Sequence, residues 1–152
     1  MFAMKLTVHC RLMGQEGGGM DKANILVVDD EAVVREGVRR VLEDHRYSVE
    51  SCANGHSALD LLQAKDFHMV ITDLKMPGMS GLEVLKGIKV LQPGIPVIII
   101  AGYSTVDTAV AALKNGAVDY IAKPFTPDQL REKVARAFEQ SVALGSGVSQ
   151  GD

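Results

Sequence analysis

The sequence has no tryptophan, two cysteines and few aromatic residues, which make up 5% of its 152 residues. The two cysteines, Cys10 and Cys52, form no Cys-x-x-Cys pair and do not suggest a disulfide framework, which favours a reducing, cytoplasmic location. No apolar run approaches the roughly 18 residues of a membrane span. The net charge is only −3, and without clustered Lys and Arg we expect no binding to nucleic acid or to anionic membranes.

The length and composition indicate one globular domain with separate ends. Hydrophobic residues make up 47% of the chain and charged residues 23%, a balance typical of a folded domain. The triple glycine 17–19 cannot pack, so we interpret residues 1–20 as a flexible N-terminal extension. Residues 145–152 are rich in Gly and Ser and are typical of a flexible tail or linker stub. The folded domain is therefore expected over residues 21–144.

Strand-like and helix-like patterns alternate along this domain. Continuous or alternating apolar segments predict strands at residues 25–28, 47–52, 68–71, 97–100 and 120–121. Between them, apolar residues recur at helical spacing, as at Val34, Val38, Val41 and Leu42. Five β–α units in strict alternation predict an α/β fold, with a parallel sheet covered by helices on both faces.

The last two predicted helices carry boundary signals as well as apolar faces. Thr126 and Gln129 form a capping box, with Pro127 at the first helical position. The buried face of this last helix is expected to contain Leu130, Val134, Ala137 and Phe138. The preceding helix is expected to end at Asn115-Gly116. Its buried face is expected to contain Val106, Ala109, Val110 and Leu113.

The chemistry-bearing residues follow the predicted strands at their carboxyl ends. Asp29 and Asp30 follow the first strand, Asp73 ends the third, and Lys123 follows the fifth. Ligands of such folds bind at this edge of the sheet. Three neighbouring carboxylates repel each other unless a cation joins them, and oxygen ligands suit Mg²⁺ or Mn²⁺. A carboxylate can also act as a nucleophile, so the set points to phosphoryl transfer onto a carboxylate.

Three motifs make the sequence recognisable. The segments ILVVDDE (25–31), DLKMPGMSG (73–81) and DYIAKPF (119–125) together closely resemble the receiver domain of two-component response regulators. The resemblance covers the whole predicted domain, in order and with normal spacing. It implies a doubly wound, flavodoxin-like fold with five helices and a five-stranded parallel sheet in the order 2-1-3-4-5.

The resemblance also implies roles for the residues at the strand ends. Asp73 matches the phospho-acceptor that becomes an aspartyl phosphate. Asp30 matches the direct metal ligand, and Asp29 the acidic partner that holds the metal through water. Lys75 is expected to lend its backbone carbonyl to the metal while its side chain points outward. Lys123 matches the lysine that pairs with the acceptor and then with the phosphoryl group.

Further positions concern the switch that follows phosphorylation. Tyr120 matches the aromatic residue whose rotamer reports activation, and the Lys123–Pro124 peptide is the one that is usually cis in the family. The sequence departs from the family at Ala101, where Thr or Ser usually donates a hydrogen bond to the phosphoryl group. We expect phosphorylation to survive this change, and the alternative hydroxyl donors in the same loop are Ser104 and Thr105.

The resemblance implies a signalling module rather than an enzyme with a separate substrate. Its partner would be a sensor histidine kinase or a phosphotransfer protein, and it would catalyse its own phosphorylation and slow dephosphorylation. Phosphorylation would change the face built by the fourth helix, fifth strand and fifth helix, through which a homodimer could form. The alternative is a phosphorylation-independent binding module, supported by Ala101. A hydrolase using Asp73 is opposed by Lys75, which stands where a second acid is needed.

Plainer interpretations also remain for several of these residues. Asp29 or Asp30 could simply cap the first helix, and Tyr120 could be an ordinary half-buried strand residue. Cys52 is expected to be a small apolar filler. The basic residues of the last helix are expected to form a solvated face: Arg131, Lys133 and Arg136.

Overall fold

The computed structural model describes residues 22–43, 47–102 and 106–147. The expected extension (residues 1–20), the end of the expected tail (148–152) and the two substitute donors, Ser104 and Thr105, lie outside these ranges. Strands and helices alternate along the described chain: β1 (Ala23–Val28), α1 (Ala32–Glu43), β2 (Tyr47–Cys52), α2 (Gly55–Ala64), β3 (Met69–Asp73), α3 (Gly81–Leu91), β4 (Val97–Ala101), α4 (Val106–Lys114), β5 (Asp119–Ala122) and α5 (Pro127–Gly147).

The five strands form one parallel sheet in the order β2-β1-β3-β4-β5, which confirms the predicted fold. Neighbouring strands are in register through their apolar residues, with Ile71 opposite Ile98 and Ile100 opposite Ile121. Because all strands run in the same direction, their carboxyl ends meet at a single edge of the sheet. Residues distant in sequence are brought together at that edge.

The core has two layers because successive strand residues point to opposite faces of the sheet. One layer packs strand residues such as Leu26 and Ile99 against α2, α3 and α4. The other packs residues such as Ile25 and Ile98 against α1 and α5. Burial on both faces explains why the central strands are apolar throughout rather than alternating.

Side-chain caps fix where the helices that flank the site begin. The predicted box at α5 is present: Gln129 N–H donates to Thr126 Oγ1 over 3.1 Å, and Thr126 N–H donates to Gln129 Oε1 over 2.9 Å. A second box, between Ser80 and Glu83, begins α3 and was not predicted. Gly116 follows α4 with a φ of +113°, in the left-handed conformation that ends a helix.

The predicted buried face of α4 is wrong for two of its four residues. Val110 and Leu113 are 43% and 37% exposed, and Ala112 is fully buried in their place. The segment 109–113 is apolar at every position, so helical periodicity could not decide which residues face the sheet. The side chains of Val106 and Ala109 lie outside the described part.

Helix α5 extends further than predicted. It ends at Gly147, whereas the sequence placed the start of the linker at Gly145. Glycine weakens a helix by about 1 kcal/mol relative to alanine but does not forbid its last turn. The helix is held against the sheet by Leu130, Val134 and Ala137, which are buried as predicted. Phe138 stacks on Tyr47 of β2 with ring centroids 5.5 Å apart.

Candidate functional site

The candidate site lies at the carboxyl edge of the sheet, where residues at the ends of β1, β3 and β5 come together. Asp29 directly follows β1, Asp73 is the last residue of β3, and Lys123 directly follows β5. Asp29, Asp30 and Asp73 each offer a carboxylate oxygen, and these oxygens all lie within 4.8 Å of one another. The structure therefore brings together the three acids and the lysine that the sequence singled out.

Lys123 places its ammonium among the carboxylates. Its Nζ lies 3.3 Å from Asp73 Oδ1, 3.5 Å from Asp29 Oδ2 and 3.7 Å from Glu31 Oε1. The backbone of Lys123 is fixed as well, because its N–H donates to the Ala101 carbonyl over 2.8 Å. The Lys123–Pro124 peptide is cis, as predicted.

Asp29 is held at several points and is fully buried. Its N–H donates to the Cys52 carbonyl over 3.2 Å, and its Oδ1 accepts the Glu31 N–H over 2.8 Å. The interpretation of Asp29 as a capping residue at the start of α1 therefore accounts for its Oδ1 but not for its Oδ2. The other oxygen, Oδ2, is buried without a hydrogen-bond partner among the described residues. A buried carboxylate oxygen of this kind is costly unless a cation faces it, and the Lys123 ammonium lies 3.5 Å away without making a hydrogen bond.

The acids and the lysine perturb each other's ionisation. Burial raises the pKa of Asp29 above its ordinary value of 3.8, and the neighbouring charge of Asp73 raises it further. Burial also raises the pKa of Asp73, although Lys123 acts in the opposite direction. Burial alone would lower the pKa of Lys123, but the carboxylates of Asp29 and Asp73 outweigh it and raise this pKa. The site thus carries more negative charge than one ammonium can neutralise.

The donor set fits a hard divalent cation. It consists of carboxylate oxygens, with Asp29 and Asp73 buried and Asp30 exposed at the mouth. Magnesium binds such oxygens while keeping several waters, which an exposed mouth permits. Lys75 lies in the loop after β3 and its side chain is exposed, as expected. The observation that most directly supports a divalent cation is that Asp29 Oδ2 makes no hydrogen bond and shares the single ammonium of Lys123 with the carboxylate of Asp73.

Ala101 and Tyr120 lie beside this cluster on neighbouring strands. Ala101 ends β4 and is buried, so its methyl group occupies the position of the Thr or Ser hydroxyl that is usual in the family. Tyr120 is half-buried and packs against the core layer that contains Ala101. The Nζ of Lys133 lies 5.7 Å from the Tyr120 ring centroid and 3.1 Å from Asp119 Oδ1. Lys133 therefore tethers α5 to β5, and the solvated-face interpretation is wrong for this residue.

Two residues at the site were given no role from the sequence. Glu31 reaches the ammonium of Lys123 from the mouth, and its place directly after the two aspartates was the available signal. Arg35 donates from Nη1 to the Asp29 carbonyl over 2.6 Å. The sequence signal for Arg35 was its helical spacing. Arg35 precedes the buried residues Val38 and Leu42 of α1 by three and seven positions, so it lies on the face of the helix that points toward the sheet.

Comparison with known proteins agrees with this geometry. The family described as "Response regulator receiver domain" matches residues 25–135. The chain belongs to the receiver-domain family. This receiver domain is 39% identical over 125 residues to the transcriptional regulatory protein ZraR of Salmonella typhimurium, covering 82% of the chain and 28% of ZraR. The chain thus spans less than a third of that relative's length.

Solved structures share the fold of this receiver domain. The crystal structure of NtrX from Brucella abortus, in complex with ADP, superposes with a TM-score of 0.80 at 36% identity, covering 87% of this chain and 30% of NtrX. A response regulator receiver domain protein from Clostridium thermocellum gives a TM-score of 0.75 at 33% identity, covering 80% of this chain and 98% of that one. Within the described residues, no helix combines the length and apolarity needed to cross a membrane.

Proposed function

We propose that this receiver domain accepts a phosphoryl group on Asp73 from a phosphohistidine, carried by a sensor histidine kinase or a phosphotransfer protein. The observation that carries the proposal is the ammonium of Lys123, 3.3 Å from Asp73 Oδ1 and beside two further acids. A carboxylate in such a place is a good phosphoryl acceptor. The ammonium of Lys123 and a metal ion held by the acids can together neutralise the charge of an incoming phosphoryl group.

The proposed step is an in-line transfer between two side chains. An oxygen of Asp73 forms a bond to phosphorus while the bond between phosphorus and the histidine nitrogen breaks. The electron pair of the broken bond stays on the imidazole, which takes up a proton from solvent. Lys123 stays paired with the acceptor and then contacts the phosphoryl oxygens. Slow attack of water on the aspartyl phosphate returns the carboxylate and releases inorganic phosphate.

The acids and one backbone group would hold the divalent cation. Asp30 and Asp73 supply carboxylate oxygens, Asp29 supplies its orphaned Oδ2, directly or through water, and Lys75 supplies its backbone carbonyl. When bound, Mg²⁺ or Mn²⁺ neutralises the charge that develops on the transferred phosphoryl group. Without it, the residues alone leave one ammonium against several carboxylates.

The proposed output is a change in the face formed by α4, β5 and α5. This face carries the exposed apolar residues Val110 and Leu113, the half-buried Tyr120, and Lys133, which links β5 to α5. Exposed aliphatic side chains beside a movable aromatic ring suit a protein partner, including a second copy of this chain. The local charge change at Asp73 would bias this face between two arrangements.

The deciding experiment is intact mass after incubation with a small phosphodonor, with and without Mg²⁺. We expect a single phosphoryl adduct that requires Mg²⁺ and is absent in Asp73→Asn. The matched control is Asp60→Asn, which removes an exposed aspartate on α2 and should label like the wild type. Loss of the adduct in both variants would point to a general effect of charge rather than to the acceptor.

The opposite result has a definite meaning. A folded wild-type protein that takes no adduct, under conditions that label another receiver, would contradict phosphorylation of Asp73. The phosphorylation-independent binding module would then be the better description. An adduct that persists in Asp73→Asn would contradict the assignment of the acceptor.

A further inference from the structure

Arg35 contacts the site from α1 without being one of its acids or its lysine. Its Nη1 donates to the backbone carbonyl of Asp29 over 2.6 Å, across the turn that joins β1 to α1. The guanidinium is half-buried and also lies close enough to Cys52 to act on the ionisation of that thiol. Arg35 therefore contacts the Asp29 backbone at the end of β1, and its charge acts on Cys52 at the end of β2.

Its hydrogen bond completes a set of restraints on Asp29. The N–H of Asp29 is held by Cys52, its Oδ1 by the Glu31 N–H, and its carbonyl by Arg35. Asp29 follows the last residue of β1, so its carbonyl has left the strand and needs a partner elsewhere. With these three points fixed, Oδ2 is the polar atom of Asp29 left to face Lys123.

We infer that Arg35 is a positioning residue for the metal site, holding the Asp29 backbone so that Oδ2 faces the cation. The inference rests on the proposed function, because it assumes that Asp29, Asp30 and Asp73 bind Mg²⁺. Groups that orient metal ligands from behind typically change metal affinity by 10- to 100-fold when they are removed. Arg35 acts on a backbone carbonyl rather than on a carboxylate, so its charge is not needed to neutralise an acid.

The effect of removing Arg35 on Mg²⁺ affinity has opposite signs if Arg35 acts through its charge or through its hydrogen bond, so its role can be tested. A guanidinium near the site repels Mg²⁺, so removing it as a mere charge should tighten Mg²⁺ binding. Removing it as a restraint should weaken binding, because Asp29 would have to be ordered when the metal binds. The sign of the change therefore separates the two roles.

Helix α1 supplies a matched control in Arg39. Its guanidinium pairs with Glu36 over 3.2 Å and with Glu43 over 3.8 Å, on the exposed side of the helix. Arg35→Met and Arg39→Met thus make the same chemical change, one turn apart on one helix. Arg35→Lys keeps the charge but shortens and reshapes the hydrogen-bond donor, so it should retain part of the Mg²⁺ affinity that Arg35→Met loses.

The experiment is calorimetric titration of the metal-free chain with Mg²⁺, without a phosphodonor. We expect Arg35→Met to weaken Mg²⁺ binding by about tenfold, in the range for groups that orient metal ligands, with Arg35→Lys in between and Arg39→Met like the wild type. A second readout is the amide resonance of Glu31, which donates to Asp29 Oδ1. It should shift in metal-free Arg35→Met and stay in place in Arg39→Met.

Three results would overturn the inference, and they differ from failure of the proposed function. Unchanged Mg²⁺ affinity in Arg35→Met, even with lower thermal stability, would leave Arg35 a structural residue only. Tighter binding would make it a simple charge. If Arg35→Met does not fold, equal Mg²⁺ affinities of Arg35→Lys and the wild type would contradict the positioning role of Arg35. If the wild type itself shows no Mg²⁺ binding that Asp30→Asn abolishes, the proposed metal site fails, and the inference falls with it.

Discussion

Ala101 places a methyl group at the buried end of β4, beside the acidic cluster. Its carbonyl accepts the Lys123 N–H, and its side chain lies in the same core layer as Tyr120. A hydroxyl at this place would connect a phosphoryl group to the neighbouring strand. With alanine, that connection depends on backbone groups and on Lys123 alone. We therefore expect phosphorylation of Asp73 to be only weakly coupled to Tyr120.

The substitution Ala101→Thr should strengthen this coupling. A hydrogen bond to a charged group contributes about 1.5–3 kcal/mol, which corresponds to a population shift of roughly 10- to 100-fold. We expect a larger change in the Tyr120 ring resonances on phosphorylation, measured by NMR with Tyr120→Phe for assignment. Ala101→Val is the matched control, since valine has the shape of threonine without its hydroxyl. Equal responses in the two variants would show that the hydroxyl is unimportant.

At the scale of whole elements, the start of α3 packs directly against the backbone that carries Asp73. Gly81 is the first residue of α3, and its N–H donates to the Leu74 carbonyl over 2.8 Å. A Cβ at Gly81 would overlap the Asp73 carbonyl oxygen and would lie 2.7 Å from Leu74 Cα. Both contacts are with backbone, which cannot rotate away. The position of α3 and that of the acceptor are therefore set together.

The variant Gly81→Ala should destabilise the protein by about 1–3 kcal/mol, the usual cost of overpacking, measured by equilibrium denaturation. Gly37→Ala on α1 is the matched control, because a Cβ there meets nothing within 4 Å. That change should be neutral or stabilising by about 0.5–1 kcal/mol, since glycine is unfavourable in a helix. If Gly81→Ala is as stable as Gly37→Ala, the close packing of α3 on the Asp73 backbone is not a constraint.

At the scale of the whole molecule, the acidic cluster makes stability depend on pH. The pKa values of Asp29 and Asp73 are raised above 3.8 in the folded chain, chiefly by burial. Between 3.8 and these raised values the folded state binds more protons than the unfolded state. Stability therefore falls as pH rises through this window and increases as pH falls through it. Few carboxyl groups in ion pairs behave this way, since pairing normally lowers their pKa.

In Mg²⁺-free buffer, we expect the free energy of unfolding to gain a favourable contribution from Asp29 and Asp73 as the pH falls toward 3.8 through their raised pKa values. Each of the two carboxyls can contribute a slope of at most about 1.4 kcal/mol per pH unit. The measurement is urea denaturation at a series of pH values. Asp29→Asn should flatten the dependence, whereas Asp60→Asn on the surface should leave it unchanged. A pH dependence that is the same in the wild type and in Asp29→Asn would contradict the raised pKa of Asp29.

Much of this molecule follows from local pattern. The apolar runs predicted all five strands within a few residues, and the Thr126–Gln129 box predicted the start of α5. Convergence of Asp29, Asp73 and Lys123 followed from one fact about parallel sheets, that carboxyl ends share an edge. These features were predictable because each depends on residue type and short spacing, and strict alternation of strands and helices predicts a parallel sheet. The strand order 2-1-3-4-5 came from the resemblance to receiver domains.

Other features depend on distances that no spacing encodes. The sequence by itself determined the strands, the end of α4, the start of α5 and the set of acids at the site. Only the tertiary structure decided that Arg35 reaches the Asp29 carbonyl, that Lys133 joins Asp119, and that Ala112 rather than Val110 faces the core. The physical reason is that the partners of long side chains depend on how whole elements pack. A helical segment that is apolar on every side, as 109–113 of α4 is, takes its orientation from the sheet on which it packs.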